Sequence, residues 1–361
     1  MSDDVLSPAT GAIPSRQDYR DDYVSAAILK DAVELPEEFD TDLTVLGPVM
    51  MQAQTPSCVS HSVALELKKH WYKKTGKVVN FSPRFLDILV KRFDGLSEYR
   101  ASAGTYPRMV FRLAVKYGCA TTDVLPNDTL LSTLEYRDDE LLTDSVMEDA
   151  EKYRLPGYVR IGDDALSTRK AIMEYGSVSQ LLRIGEEWWT PSWRSSDIEP
   201  LRPPKVVVSG HQVNPKGWND LETGIATNRL RNSWSDRWAT KGEAMYRVGD
   251  WSPQIFETWA VAEIPENVKL FLETLPAPDK FHFDFRRSMR VGDYSDDVKW
   301  VQIAFMILGL LEMVPVDQLG YFGPKTMKAN LAFQRLIGIK QTSAEHIGPR
   351  TLNGLNKQFQ I

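Results

Sequence analysis

Cys58 is the residue whose type and place most clearly point to bond-making chemistry. It follows Ser57, a good helix N-cap, and opens a run in which Val59, Val63, Leu67 and Trp71 recur every four residues, the spacing of one helix face. A sulfur in the first turn of a helix sees unpaired backbone N–H groups and the positive end of the helix dipole, which favour thiolate over thiol. A lone helical cysteine is more often a small buried apolar residue, so the nucleophilic reading needs a base and a third group to orient that base. Five histidines are candidates. His61 lies one turn further along the same helix and reads as a packed residue, His70 and His282 sit among lysines or aromatics, and His346 belongs to a C-terminal repeat. His211 differs: it follows the apolar run Val206-Val207-Val208 and stands beside Gly210. Twenty-one residues later Asn232 ends a second strand candidate, Arg229-Leu230-Arg231, just before Ser233-Trp234. Neighbouring strands can bring an Asn carboxamide to an imidazole, with tryptophan shielding the contact. The second cysteine, Cys119, follows Tyr117-Gly118 and reads as structural packing.

These residues need a scaffold of two kinds. The expected helices run from Ser57 to Gly76, from Ser82-Pro83 to Gly95 and from Pro107 to Gly118, each with cap, N1-proline or terminal-glycine signals. After about residue 155 the texture changes to Val206–Val208, Arg229–Arg231, Ala244–Val248 and Trp259–Val261, strand-like runs between turn residues. Helices first and strands after predict an α+β fold, with a helical lobe, a β-barrel-like lobe and a cleft between them. Residues 1–34 read as an acidic, extended strap, with a short apolar stretch at Val24–Leu29. The main domain is placed at 35–272, a Pro-rich linker around Leu275-Pro276-Ala277-Pro278 at 273–285, and a small three-helix module at 286–361. In that module Phe322-Gly323-Pro324-Lys325-Thr326 recurs 25 residues on as Ile347-Gly348-Pro349-Arg350-Thr351, each copy a helix start.

Composition narrows the function class. With 361 residues, 42% hydrophobic and 25% charged, the chain is globular and long enough for more than one domain. Two cysteines cannot make a disulfide framework, and no apolar run approaches the about 18 residues of a membrane span. The net charge of −6 conceals an acidic residues 1–40 (balance −7) and a mildly basic 286–361 (+4). No broad cationic footprint for nucleic acid results. His-Glu-x-x-His and paired cysteines are absent, so neither a metal nor another cofactor is expected.

The chemistry-bearing residues resemble the papain-like cysteine peptidases, particularly bacterial and phage members. Pro48-Val49-Met50-Met51-Gln52 followed by Ser57-Cys58-Val59-Ser60-His61-Ser62 matches that family's Gln and Ser-Cys-x-x-His segments. Ala103-Gly104-Thr105-Tyr106-Pro107 resembles its cleft segment, and Leu35–Asp40 the start of the mature enzyme. Gly210-His211 and Asn232-Ser233-Trp234, with Trp238 and Gly242, resemble its His and Asn motifs. The resemblance implies Cys58 as nucleophile, His211 as general base and then acid, Asn232 as orienter and Trp234 as cover. It implies Gln52 as oxyanion donor beside the Cys58 backbone N–H, and Gly104, Thr105, Gly210, Gln212 and Trp234 as substrate-binding positions. Pro56, Ala53, Val59, Gln212, Ser235 and Ala239 depart from the family pattern, and Gln212 implies a more polar or narrower second specificity pocket. The stretch before Leu35 is shorter than that family's usual inhibitory pro-segment. Trp188, Trp189 and Trp193 read as a half-buried loop or interface core ahead of a sugar or peptide platform.

Residues 286–356 resemble the peptidoglycan-binding domain at the ends of bacterial wall hydrolases, through Arg290-Val291-Gly292, Asp297-Val298, Val301-Gln302, Gly309, Tyr321–Thr326, Ala329, Phe333-Gln334 and Ile347–Thr351. Leu319-Gly320 stands where Asp-Gly is usual. The expected function is therefore a Cys-His-Asn endopeptidase carried to cell-wall material, phage- or prophage-borne, acting on protein or peptide. The alternative is a virion structural or assembly component whose C-terminal module docks a protein partner. Neither nucleic acid nor membrane insertion is expected. The start of the sequence lacks a Sec-type signal, which implies cytoplasmic synthesis with release to the virion or envelope.

Overall fold

The computed structural model describes residues 10–359 apart from 17, 22–24, 26–33, 53, 97–100, 190–199, 225, 279, 280, 282, 313 and 341. Val24–Leu29 (apart from Ser25), Trp193 and His282 thus lie outside the described residues. The described residues fall into two compact units, those within Met1–Ser15 and Ile28–Ile264, and those within Arg16–Ala27 and Pro265–Ile361.

The helical lobe of the first unit contains α1 (Cys58–Thr75), α2 (Pro83–Lys91), α3 (Pro107–Tyr117), the single turn α4 (Thr133–Tyr136) and α5 (Asp144–Glu151). A further helix, α6 (Ala165–Tyr175), packs on the sheet. The cap signals work largely as expected: Ser82 accepts from the Phe85 N–H ahead of Pro83, and Gly76 closes α1 in the left-handed region. Ser57 is the exception. It holds the N-cap position of α1 without a side-chain cap bond, because its Oγ is spent on the Thr55 carbonyl at 3.3 Å and on His61 Nδ1 at 3.2 Å. Every residue of α1 from Cys58 to Lys69 is buried. It is a central helix covered by α2, α3 and the sheet, and hence apolar or internally bonded on all sides.

The other lobe is a seven-stranded antiparallel sheet. Its strands are β1 (Glu38–Asp40), β2 (Tyr158–Ile161), β3 (Ser179–Ile184), β4 (Ser209–Asn219), β5 (Thr227–Arg231), β6 (Glu243–Arg247) and β7 (Ile255–Val261). The order is β2-β7-β3-β4-β5-β6, with β1 on the far half of β4. Val206–Val208, expected as a strand, is instead the exposed approach to β4, which begins at Ser209. Val208 N–H donates to Ile184 O at 2.9 Å. The β4 strand itself, Ser-Gly-His-Gln-Val-Asn-Pro-Lys-Gly-Trp-Asn, is polar in sequence yet buried from His211 to Trp218. Both of its faces are covered, so alternation is erased.

The second unit contains α7 (Glu266–Glu273), α8 (Asp296–Ile307), α9 (Pro324–Leu336) and α10 (Pro349–Phe359), with a two-stranded ribbon of β8 (Met289–Arg290) and β9 (His346–Ile347). Its core gathers Val301, Phe305, Phe322, Phe333, Ile347 and Leu355. Leu275, from the proline-rich stretch, is buried in that core, and Tyr19 joins it with its hydroxyl donating to Pro276 O at 2.8 Å. The two Gly-Pro repeats start α9 and α10, each preceded by a fully buried apolar residue, Phe322 and Ile347. No described helix is long and apolar enough to cross a membrane.

Candidate active site

His211 lies three residues into β4 and Asn232 follows the last residue of β5, the neighbouring antiparallel strand. That register brings the two side chains together: His211 Nε2 meets Asn232 Oδ1 at 2.7 Å. The amide oxygen also accepts the Ser233 N–H at 2.7 Å. A carbonyl oxygen can only accept, so Nε2 carries the proton and the neutral ring keeps its lone pair on Nδ1. Nδ1 is buried without a partner. Burial lowers the His211 pKa to about 4, against the stabilising bond to Asn232 and with help from nearby His61. Trp234 stacks on the imidazole at a centroid distance of 4.4 Å and 28°, and Trp188 meets it edge-on at 6.0 Å. Trp188 is fully buried among Trp234, Trp238 and Trp251, so its part is that of a core residue and its ring is not a ligand platform.

Cys58 starts α1 and is wholly buried. The backbone of Gln212, next to His211, faces its sulfur, together with backbone groups of Gly11, Val59 and Ala12. The helix-start position was expected to favour thiolate, yet burial outweighs these groups and pushes the thiol up. The thiol is covered by the chain's own N-terminal segment. Thr105 N–H donates to Gly11 O at 2.9 Å, Ile13 N–H to Thr105 O at 2.9 Å and Ala12 N–H to Gly210 O at 3.1 Å. Residues 11–13 thus lie extended between the wall of the helical lobe and the start of β4, in a parallel bridge to Thr105. The approach is so close that a β-carbon on Gly104 would overlap the Gly11 carbonyl, and one on Gly210 the Ala12 carbonyl. Glycine at these two sites is a requirement of backbone contact. Further on, Ser15 N–H donates to Glu257 Oε1 at 2.8 Å, and the Arg108 N–H to Ser15 Oγ at 3.1 Å. Burial pushes the Glu257 carboxyl up despite these bonds. A stretch judged short for an inhibitory segment therefore reaches through the site, since five extended residues span about 16 Å.

Gln52 is buried beside this arrangement. Its backbone N–H donates to Ser233 O at 2.9 Å, and its side-chain oxygen accepts from Ser233 Oγ at 2.6 Å. Its amide nitrogen points to Thr55 O at 3.2 Å, inside the turn that delivers Cys58. Gln212, expected in a specificity pocket, directs its amide nitrogen to Ser179 Oγ at 2.8 Å and leaves its oxygen buried and unpartnered. His61 is bonded at both nitrogens, to the Ser57 carbonyl at 3.0 Å and to Asn127 Nδ2 at 3.3 Å. Cys119 is buried, and burial pushes its thiol far up. Among the described residues no cluster of three or more His, Cys, Asp or Glu is placed to hold a metal. Sequence reasoning missed Gly11–Ser15 as cleft residues and Glu257 as their anchor. It also missed the buried charges Lys91, Asp94, Asp87 and Arg137 behind Gly104 and Cys58. Nothing local marked these charges: Asp87 and Lys91 lie on the otherwise largely apolar α2, and Asp94 and Arg137 lie outside the helices.

No protein-family model matches the chain and no curated protein matches its sequence. Solved structures do match its fold. Xylellain, a cysteine protease from Xylella fastidiosa, superimposes with a TM-score of 0.59 at 18% identity, over 72% of this chain and 97% of that one. Digestive procathepsin L 3 of Tenebrio molitor larval midgut gives 0.53 at 17% identity over 72% and 76%. A recombinant stem bromelain precursor gives 0.52 at 15% over 72% and 79%. The chain has the papain-like cysteine protease fold.

Proposed function

We propose that this protein is a cysteine endopeptidase, held latent by its own residues 11–15. The observation that carries the reading is the contact of His211 Nε2 with Asn232 Oδ1: an amide oxygen can only accept, so the proton sits on Nε2 and the basic lone pair is on the buried Nδ1. In the reaction, Nδ1 takes the Cys58 proton as sulfur attacks the peptide carbonyl. The imidazolium then gives that proton to the leaving amine, and water hydrolyses the thioester by the same route. The Cys58 backbone N–H and the Gln52 amide, once turned from Thr55, would receive the oxyanion. Thr105 and Gly210, whose main chains now bind the strap, would bind an extended substrate instead. Two of the similar structures, procathepsin L 3 and the stem bromelain precursor, are precursors by name, in keeping with latency.

For the C-terminal unit, the paired Gly-Pro helix starts favour a module that directs the peptidase to bacterial wall material in a phage or prophage setting. Leu319-Gly320 in place of Asp-Gly favours a protein-docking role instead. Wild type and Cys58→Ala, incubated in parallel with protein substrates and purified sacculi, test both. Cleavage by wild type alone is expected, with retention on sacculi in both proteins. Cleavage by Cys58→Ala would refute the nucleophile, and failure to bind any sacculus chemistry would leave the docking role.

A further inference from the structure

Arg137 follows α4 and is fully buried. Among the described residues its guanidinium meets three separate pieces of chain. Nε donates to Asp87 Oδ2 at 2.6 Å, and one terminal nitrogen reaches Asp87 Oδ1 at 3.4 Å and Pro56 O at 3.2 Å. The other terminal nitrogen donates to Ala103 O at 2.8 Å. Pro56 stands two residues before Cys58, and Ala103 directly precedes Gly104-Thr105. Ser60 Oγ, on α1, donates to the same Asp87 at 3.3 Å. A second thread from this segment ends at the same turn. Tyr136 OH donates to Asn127 Oδ1 at 2.6 Å, Asn127 Nδ2 donates to His61 Nε2, and His61 Nδ1–H donates to Ser57 O.

A buried ion pair adds little to stability compared with apolar residues of the same size. What an apolar pair cannot do is hold two carbonyls of different loops at a fixed separation. A planar guanidinium can, because its donors are rigidly splayed. One of those loops carries the attacking sulfur and the other the main chain that binds the strap. We infer that Arg137, neutralised by Asp87, is a positioning residue that sets the spacing between the nucleophile turn and the cleft wall. The inference rests on the peptidase reading for its purpose, but it is testable without turnover.

The test uses the full chain carrying Gly11→Val, whose side chain would overlap Pro56 and Gly104 and so lift the strap. In that background, Arg137→Met with Asp87→Leu removes the tie without stranding a charge, and Arg137→Lys keeps the charge but loses the fork. Labelling of Cys58 by iodoacetamide, which needs only the sulfur, is compared with labelling by a tetrapeptidyl chloromethyl ketone, which must also seat on Thr105. The double variant is expected to slow the peptidyl reagent about 10- to 100-fold, the scale of a misplacement near 1 Å, while iodoacetamide stays within about 2-fold. Arg137→Lys is expected to fall between. Equal losses with both reagents, tracking a drop in melting temperature, would reduce Arg137 to a folding residue, and unchanged peptidyl labelling would also overturn the inference. If Gly11→Val protein takes the peptidyl label but cleaves no peptide, the peptidase reading fails while the labelling ratio still decides the role of Arg137.

Discussion

The C-terminal core and the cleft of the first unit bury the same kinds of polar side chain and treat them differently. In the core, Gln302 donates to Tyr321 O and Thr326 Oγ1 and accepts from Gly320 N–H. Gln334 accepts the Ser343 N–H, and Asn330 donates to the carbonyls of Ser343, Ala344 and His346. Each amide is finished and pins a loop. In the cleft, Asn232 and Gln212 are as buried, yet Asn232 Nδ2, Gln212 Oε1 and His211 Nδ1 lack partners. Among the described residues, all such orphaned atoms lie in the first unit. An unsatisfied buried group costs about 1–3 kcal/mol. The core avoids that cost and the cleft carries it, among other places at His211 Nδ1, the lone pair on which the proposed base function rests.

The sharpest way to break this comparison is to exchange the consequences. Asn232→Ala is expected to lower peptide cleavage by about 10²-fold or more, beyond the stability cost of about 1–3 kcal/mol from stranding the His211 and Ser233 donors. Gln334→Ala should cost about 2–4 kcal/mol in chemical denaturation and leave cleavage unaffected. If Gln334→Ala impaired catalysis as much as Asn232→Ala, the distinction would collapse.

A smaller effect concerns the strap. Its three main-chain hydrogen bonds, at about 1 kcal/mol each, correspond to roughly 10²-fold in occupancy. Gly11→Val should therefore raise initial cleavage rates by up to about that factor and accelerate Cys58 alkylation in parallel. No gain in either rate would mean that residues 11–13 do not limit access.

The remaining expected effect is on pH. His61 and His211 both titrate at about 4 in the fold, chiefly because they are buried, against about 6.5 in the unfolded chain. Between those values the unfolded state binds more protons, so stability is complete above pH 6.5 and drains away as the pH falls towards 4. The loss is up to about 3 kcal/mol for each histidine. Melting curves over that range should show it, and His61→Gln should flatten the slope. An unchanged slope would place the acid sensitivity elsewhere.

Much of the helical lobe was legible, because its ends are written locally: Ser82-Pro83, Gly76 and Gly118 mark stops and starts that need no tertiary information. His211, beside Gly210, and Asn232, after a strand, do meet, although His211 lies inside β4 and does not follow a strand at Val206–Val208. The sheet was harder. The β3 strand, Ser-Gln-Leu-Leu-Arg-Ile, and the polar β4 gave no alternating pattern, being covered on both sides, while the most apolar run, Val206–Val208, proved exposed. Arg137 and Asp87 were unreadable for another reason. Charged residues default to the surface, and only the convergence of Pro56, Ala103 and Ser60 around them gives these two a place inside.

Because the strap belongs to the same chain as the cleft it fills, it acts at an effective concentration rather than a bulk one. Segments joined by short flexible linkers reach the millimolar range, and free substrate must compete against that. A single cut just after Ser15, ahead of the stretch that Tyr19 anchors in the C-terminal core, would turn the strap into an ordinary peptide, diluted to the concentration of the protein itself. Such a cut would remove no contact between strap and cleft. It would change only the number of molecules, and on that count alone would shift occupancy by orders of magnitude at micromolar protein.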